Sequence, residues 1–512
     1  MRTKNSIKNI TISIISQIIM TLLGFISRKV FLDNLGIDYL GVNGLLTNVL
    51  SLLALLEGGI GSSITYNLYK PLAENDEEKI TALIQLYKKA YMIIAAVVLG
   101  LSISLFPILS GIMTEGSNVS NIFIVYIVFV MKNVMAYLYA HKWSLINADQ
   151  KNYILARRNL VFSIITTISK IVVLVLTQSY VLFLIIEVII VIIQSILNGK
   201  IVDKLYPYIK TKKKYTIEKE TKINIINNVK ALFLHNVGSY CVFGTDNILI
   251  SKFVNVSTVG IYSNYTMIIN QLVNIIAPVI NGVGSSVGNL IATESKEKNY
   301  SIFKVTYLVN FWIYSFCVIF LYNLLNPFIN WWLGEGYLLD NITFFVILMN
   351  CYITGMRSSI GTFKTKAGIF VQDKYMPLIE SIINLGASLI LIKYFGLLGV
   401  FLGTTISTLC IVFWNVPRLV YKYVFKRSSW EYFIKYFIYA LITIIVGSIT
   451  TGVCNYFIEG YSFMSLIYRG CLCVIIPNII YLLIFYKTAE FKYLINMIRN
   501  MIPQFVKNRM AI

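Results

Sequence analysis

Runs of about twenty mostly apolar residues recur along the whole chain, with no long polar block between them. A helix needs roughly that many residues to cross a hydrocarbon core about 30 Å thick. Inside lipid the backbone must satisfy its own polar groups, so such runs fold as helices. Fourteen candidate spans result: 9–31, 41–69, 90–112, 121–140, 154–177, 180–199, 224–251, 257–287, 302–325, 341–362, 376–394, 396–417, 436–457 and 464–486. A soluble domain carries about 25% charged residues. This chain has 13%, with a mean hydropathy of +0.72, so water is not its main solvent. The expected fold class is therefore an all-α integral membrane protein of about 14 transmembrane helices.

Charge supplies an independent test of the span assignment. Net charge is +21, from 44 Lys and Arg against 23 Asp and Glu. In a soluble chain that excess would suggest nucleic acid. Here 37 of the 44 fall at the N-terminus, in alternate loops, in the adjoining helix turns and in the tail. Basic residues collect in this way on the cytosolic side, where they also face anionic lipid. Both termini are expected in the cytosol, with membrane lipids rather than nucleic acid as partners. The seven exceptions are Arg28, Lys29, Lys132, Lys170, Lys252, Lys393 and Arg469. The loops on the other side are short and leave no room for a catalytic domain there, so no enzyme is expected. The first apolar run is too long for a cleaved signal and lacks a small-residue cleavage site, so it is read as a span.

No cofactor or metal site is expected. The seven cysteines lie within apolar segments, and Cys471 and Cys473 are too close in sequence for a zinc knuckle. His141 and His235 have no third ligand nearby. No phosphate-binding Gly-x-x-x-x-Gly-Lys-Ser/Thr loop is present, so the chain carries no ATPase of its own.

Ionisable groups inside a span cost roughly 2.5–3.5 kcal/mol each on insertion scales, so each needs a reason. Gln17, Thr21, Gly24 and Arg28 share one face of the first span. Asn43, Thr47, Ser51, Ala54, Gly58 and Gly61 form a stripe of polar and small residues on the second, with Glu57 beside it. Asn236, Ser239 and Asp246 lie on one face of the seventh. Asn264, Gln271, Asn274, Pro278 and Asn281 align on the eighth. Such stripes fit either the walls of a water-filled cavity or close helix packing. Arg28 is a candidate phosphate contact, since guanidinium binds phosphate oxygens in a bidentate way. Its other reading is snorkelling to the interface. Lys132 and Lys170 either enlarge a cationic cavity or pair with Glu187. Glu57 and Glu187 are candidate cation or proton sites. Asp246 is a candidate partner that Arg28 gains in one state and loses in another. Arg469 and Lys393 are read as structural.

The two halves resemble each other. Residues 35–79 align with 254–298, placing Gly41 on Gly260 and, after a small shift, Gly61-Ser62-Ser63 on Gly284-Ser285-Ser286. Both copies occupy the second span of their half in the same orientation, an arrangement found in transporters with a path between two lobes.

Arg28, Leu35-Gly36, Tyr39-Leu40-Gly41-Val42-Asn43-Gly44-Leu45, Leu56-Glu57-Gly58-Gly59-Ile60-Gly61-Ser62 and Tyr69-Lys70-Pro71-Leu72-Ala73 resemble the first two spans of bacterial polysaccharide repeat-unit flippases. Asp246-Asn247-Ile248-Leu249-Ile250 and Val259-Gly260-Ile261-Tyr262 resemble the start of their second half. These proteins form the polysaccharide branch of the multidrug/oligosaccharidyl-lipid/polysaccharide exporter superfamily. The resemblance implies two six-helix lobes in a V, working by alternating access. By span count these are 1–199 and 224–417, joined by a basic cytosolic linker at 200–223. An extra helix pair and a cytosolic tail occupy 418–512. It implies a bacterial cytoplasmic membrane and a substrate of oligosaccharide linked through diphosphate to undecaprenol, exported for capsule or O-antigen assembly, with a polysaccharide polymerase as a further partner. For such a substrate, Arg28, which matches the first-span arginine of the family, and Lys132, Lys170, Asn43, Asn264 and Gln271, read from their places in the spans, are the expected contacts, with Glu57, Glu187 and Asp246 as the expected coupling groups. A multidrug or cation antiporter and a lipid II flippase are the alternatives. Intramembrane Arg28, Lys132 and Lys170 suit an anionic cargo better than a cationic one.

Overall fold

The computed structural model describes residues 2–57, 60–115, 119–149, 151, 153–211, 213–217, 222–223, 225–226, 229, 244–369, 371–458, 460–496 and 499. Helices fill it, with no strand among the described residues. In the first half these are α1 (Arg2–Leu35), α2 (Ile37–Ala54), α3 (Ile60–Glu74), α4 (Glu77–Glu115), α5 (Ile122–Ala148), α6 (Tyr153–Thr177) and α7 (Tyr180–Leu205). After the linker come α8 (Asp246–Phe253), α9 (Val256–Thr293), α10 (Lys296–Leu333), α11 (Asn341–Met356), α12 (Ser358–Lys366), α13 (Met376–Phe395), α14 (Leu397–Ser407), α15 (Phe413–Val420), α16 (Trp430–Phe457) and α17 (Phe463–Phe485).

Ten helical segments among the described residues are long and apolar enough to cross a membrane. The chain is a multi-pass, all-α membrane protein. Four expected spans are not among the ten. Two of them, 9–31 and 257–287, lie inside α1 and α9, which run for 34 and 38 residues. The span at 341–362 is divided by Arg357 into α11 and α12. The span at 224–251 falls mostly outside the described residues, and Asn236, Ser239 and Cys241 with it.

Local chemistry explains the helix breaks. The expected span at 41–69 is not one helix. α2 ends at Ala54, a single tight turn covers Leu55–Glu57, and α3 begins at Ile60. Gln178, at φ 50°, separates α6 from α7, and the Ser179 hydroxyl caps α7 by accepting from the Leu182 amide at 3.4 Å. Gly396, at φ 56°, turns α13 into α14. The two helices then pack backbone to backbone, because a Cβ at Gly399 would lie 2.3 Å from the Leu391 carbonyl oxygen.

The backbone forms two compact units, residues 1–263 and 264–512, divided within α9. α8 and the first turns of α9 thus belong to the first unit. There α2 meets them through a reciprocal contact. A Cβ at Gly41 would sit 1.9 Å from the Val256 carbonyl oxygen, and one at Gly260 would sit 2.6 Å from that of Ile37. The alignment that places Gly41 on Gly260 also places Ile37 on Val256. Asp38 accepts a hydrogen bond from Ser257, its own counterpart in the repeat. The internal repeat is therefore expressed as a pair of matched glycine contacts.

In the second unit α16 and α17 pack on α10 through stacked aromatics. Phe311 and Tyr439 have ring centroids 4.2 Å apart, and Tyr307 stacks on Tyr432 at 5.1 Å. Lipid gives little hydrophobic drive for helix association, so such contacts and interhelical hydrogen bonds carry it. Trp312 Nε1 donates to Asn478 Oδ1 at 2.7 Å, and Thr443 Oγ1 to Ser315 Oγ at 2.9 Å. Beyond α17, burial would raise the Glu490 carboxyl, but a backbone amide and Lys435, 3.0 Å away, hold it below its usual range. The described cysteines are free, and Cys454 and Cys473 approach to 3.9 Å between sulfurs.

Arg469, read from the sequence as structural, reaches from α17 to the end of α16. Its guanidinium donates to Asn455 Oδ1 at 3.1 Å and to the Ile458 carbonyl at 2.9 Å, closing the C-terminal end of α16. Arg469→Leu leaves that buried carbonyl unpaired. It is expected to cost about 2 kcal/mol, read as a lower midpoint of thermal unfolding in detergent.

Candidate functional site

Three of the expected site residues meet in the first unit. Lys132 on α5 and Lys170 on α6 both donate to Glu187 on α7, at 2.5 Å to Oε1 and 2.7 Å to Oε2. Each of these helices supplies one of the three side chains, so the cluster exists only once α5, α6 and α7 pack. Two cations share one anion, leaving a net charge of +1. The Glu187 side chain is 15% exposed and that of Lys132 34%. The cluster is therefore most open on the Lys132 side.

An aromatic group surrounds the second lysine. Lys170 Nζ lies 4.2 Å from the Phe183 ring centroid, a close cation–π contact. Phe183 packs edge-on against Phe31 of α1 at 5.3 Å, and Phe31 against Tyr180 at 5.7 Å. Tyr180 donates to Asn43 Oδ1 at 3.3 Å and meets Tyr39 at 5.2 Å. Asn43 is thus joined to the lysine cluster through Tyr180. Arg28 stands one turn from Phe31 on α1. Its Nη1 donates to Ser263 Oγ of α9 at 3.0 Å. No carboxylate pairs with Arg28 among the described residues, so its charge is balanced by no acid there.

The polar stripe on α2 faces outward from the packed unit. Thr47 and Ser51 are exposed, whereas Leu45, Leu46, Val49 and Leu50 on the other face are buried. A lipid-facing helix would reverse that order. Both hydroxyls donate to the carbonyl four residues earlier, Thr47 to Asn43 and Ser51 to Thr47, at 2.7 Å.

The remaining expected residues lie on other elements. Glu57, at the break between α2 and α3, accepts from the Tyr91 hydroxyl at 2.8 Å and lines its own cavity. Asp246 is the first residue of α8; its Oδ1 is buried with no hydrogen-bond partner among the described residues, and it makes no ion pair with Arg28 there. On α9 in the second unit, Asn264 is 0% exposed, with neither amide atom partnered among the described residues, and Gln271 is half-buried. Side chains of Gln17, Pro278 and Asn281, and residues Gly58 and Gly59, lie outside the described set.

Sequence reading missed two groups. Tyr180, Phe183 and Tyr91 look like ordinary membrane-interface aromatics until their partners are known. Glu380 on α13 is buried in an apolar run, the same signal that singled out Glu187. Thr408 donates to it at 3.5 Å, and Arg357, between α11 and α12, is close enough to feel its charge. Asn384, one turn on, donates to Thr404 Oγ1 at 3.1 Å.

Solved structures share this fold. A lipid II flippase, MurJ, in an inward closed conformation, superposes with a TM-score of 0.65 at 18% identity, over 93% of this chain and 99% of its own. A mutant of the Vibrio cholerae MATE transporter VcmN matches with a TM-score of 0.54 at 12% identity, over 81% of this chain and 96% of its own. An inward-facing multidrug resistance MATE family transporter of the MOP superfamily gives 0.55 at 13%, over 76% and 91%. No curated protein matches the sequence. The model of one family, described as polysaccharide biosynthesis protein, matches residues 6–284, more than half of the chain and all of the Arg28, Lys132, Lys170 and Glu187 constellation. The chain is a member of that polysaccharide biosynthesis protein family.

Proposed function

We propose that the chain is a flippase that turns diphosphate-linked oligosaccharide repeat units on undecaprenol from the inner to the outer leaflet of a bacterial cytoplasmic membrane. Both termini would lie in the cytosol, and the exported units would serve capsule or O-antigen assembly, passing to a polysaccharide polymerase. The observation that carries this reading is the sign of the intramembrane charge. Lys132 and Lys170 share the one carboxylate of Glu187, and Arg28 of the same unit has no carboxylate partner among the described residues, only Ser263. Uncompensated cations in a span are retained for a function, and a diphosphate is an anion that matches them. A carrier of cationic drugs would need the opposite sign.

Glu187 gives the cycle a means of coupling. An incoming diphosphate competes with Glu187 for Lys132 and Lys170. The displaced carboxylate then takes a proton or a cation, and when the lysines return to Glu187 that proton or cation leaves it and the cargo is released. Asp246, with its buried unpartnered oxygen, is a second coupling group, and Asn43, Asn264 and Gln271 supply neutral contacts.

Arg28→Ala is expected to abolish surface polysaccharide while the protein remains in the membrane at normal amount. Arg28→Lys should rescue only partly, because a point charge loses the bidentate geometry. Immunoblotting of polymer against membrane-localised protein reads both. Full polymer in Arg28→Ala cells would sink this assignment.

A further inference from the structure

The Glu57 cavity contains chemistry that the lysine cluster does not. It measures about 620 Å³ and is lined by Glu57, Thr65, Tyr69, Trp143, Ser144 and Asn147. Trp143 is also a wall of a second cavity of about 440 Å³. In that one Asn159 Oδ1 accepts from Gln194 Nε2 at 2.9 Å and from Asn198 Nδ2 at 2.7 Å. Asn198 is 3% exposed, and its own Oδ1 has no partner among the described residues. Both volumes fall within the roughly 300–1,000 Å³ of small-molecule sites.

No Lys or Arg lines either cavity among the described residues. A diphosphate has no cation to pair with there. The lining is one carboxylate, three amides beside a fourth, several hydroxyls and a broad indole face. Amides and a carboxylate both suit neighbouring hydroxyl groups, which donate and accept at once. The indole supplies a rigid apolar plate for a ring face at little entropic cost. Glu57 is held in place for this role. Gly61 leaves room for it, since a Cβ there would lie 2.9 Å from Glu57 Oε1 and 2.8 Å from Tyr91 OH. With Tyr91 already donating to Oε1, one shared carboxylate is a weak counter-charge for a cation but a good acceptor for a hydroxyl.

We infer that these paired cavities around Trp143 are the subsite for the sugars of the cargo, a carbohydrate-binding site distinct from the lysine cluster that takes the diphosphate. The inference rests on the flippase reading above and replaces the ion-coupling role expected of Glu57. Trp143 and Lys132 are eleven residues apart on α5, on the order of 16 Å along the axis. A short oligosaccharide attached to a diphosphate covers that distance.

The test uses the full chain in lipid nanodiscs and two ³²P-labelled probes. One is the polyprenyl-diphosphate-linked oligosaccharide extracted from the host's own membranes, and the other is polyprenyl diphosphate alone. The wild type should prefer the sugar-bearing lipid. Trp143→Ala and Asn159→Ala should each reduce that preference by about tenfold, and Trp143→Phe should keep most of it. A wild-type chain that binds both lipids equally overturns the subsite and leaves the flippase reading standing. So does an undiminished preference in Trp143→Ala or, where that variant fails to fold, in Asn159→Ala. Displacement of the sugar-bearing lipid by tetraphenylphosphonium, lost in Glu57→Gln, would make this a cation pocket and overturn the proposal. Failure of the wild type to bind either lipid would overturn the flippase reading and the subsite together.

Discussion

Glu187→Gln is expected to lower the stability of the protein by about 3 kcal/mol, because it strands two ammonium groups beside each other in a spanning region. The glutamine can still accept hydrogen bonds from Lys132 and Lys170. It cannot offset their mutual repulsion, and the local charge rises from +1 to +2. The figure is kept at the low end because Lys132 is 34% exposed rather than fully buried. A second substitution isolates the cause. Lys170→Met in the Glu187→Gln background removes one stranded cation, so the double variant should recover most of the loss, a coupling that additive effects would not give. Thermal unfolding in one detergent, with all four chains of the cycle measured together, reads the coupling directly. Glu187→Gln should also bind undecaprenyl diphosphate more tightly than the wild type, since no carboxylate then competes for the lysines, and should turn it over more slowly. A single variant as stable as the wild type would mean that water, not Glu187, balances the lysines.

The charged members of that cluster are visible in the sequence, and pairing with Glu187 is one of the two readings it allows. Lys132, Lys170 and Glu187 each stand out as an ionisable residue in an apolar run. Their separations of tens of residues on three helices say nothing about distance, so cavity wall and ion pair remained equal readings until α5, α6 and α7 were packed. Arg28 was legible as the polar end of a face, but its partner Ser263 was not, because a serine on an apolar helix carries no signal of its own. Glu380 was legible and overlooked. The break at Glu57 was hidden because Leu55, Leu56 and Ile60 keep the run apolar through it, and hydropathy responds to side chains rather than to helix continuity. The match of Gly41 with Gly260 was the best-preserved long-range information. It appears in the sequence as a repeat and in the structure as two reciprocal contacts, since close backbone approach admits only glycine.

Gly41→Ala tests what that contact does. The added Cβ would lie 1.9 Å from the Val256 carbonyl oxygen, a backbone atom that cannot rotate away. α2 must therefore part from the start of α9, at a cost near the upper end of the roughly 1–3 kcal/mol typical of overpacking. Gly44→Ala is the control. Its nearest neighbour is a side-chain methyl of Val259 at 3.0 Å, which can shift. If the two helices touch in only one state of the transport cycle, the fold survives and the penalty falls on that state alone. About 3 kcal/mol then changes the population ratio by roughly a hundredfold. A Val259→Cys reporter, in a chain lacking its other cysteines, reads this shift, since Val259 is 0% exposed here. Maleimide labelling should be slow in the reporter alone, little changed with Gly44→Ala and fast with Gly41→Ala. Gly260→Ala should act in the same direction, its Cβ falling 2.6 Å from the Ile37 carbonyl oxygen. Adding it to Gly41→Ala should contribute little more, because helices already separated by the first methyl have room for the second. Labelling that Gly41→Ala leaves slow, at normal folding, would mean that α2 and α9 part in no accessible state and that the repeat-related glycines serve packing alone.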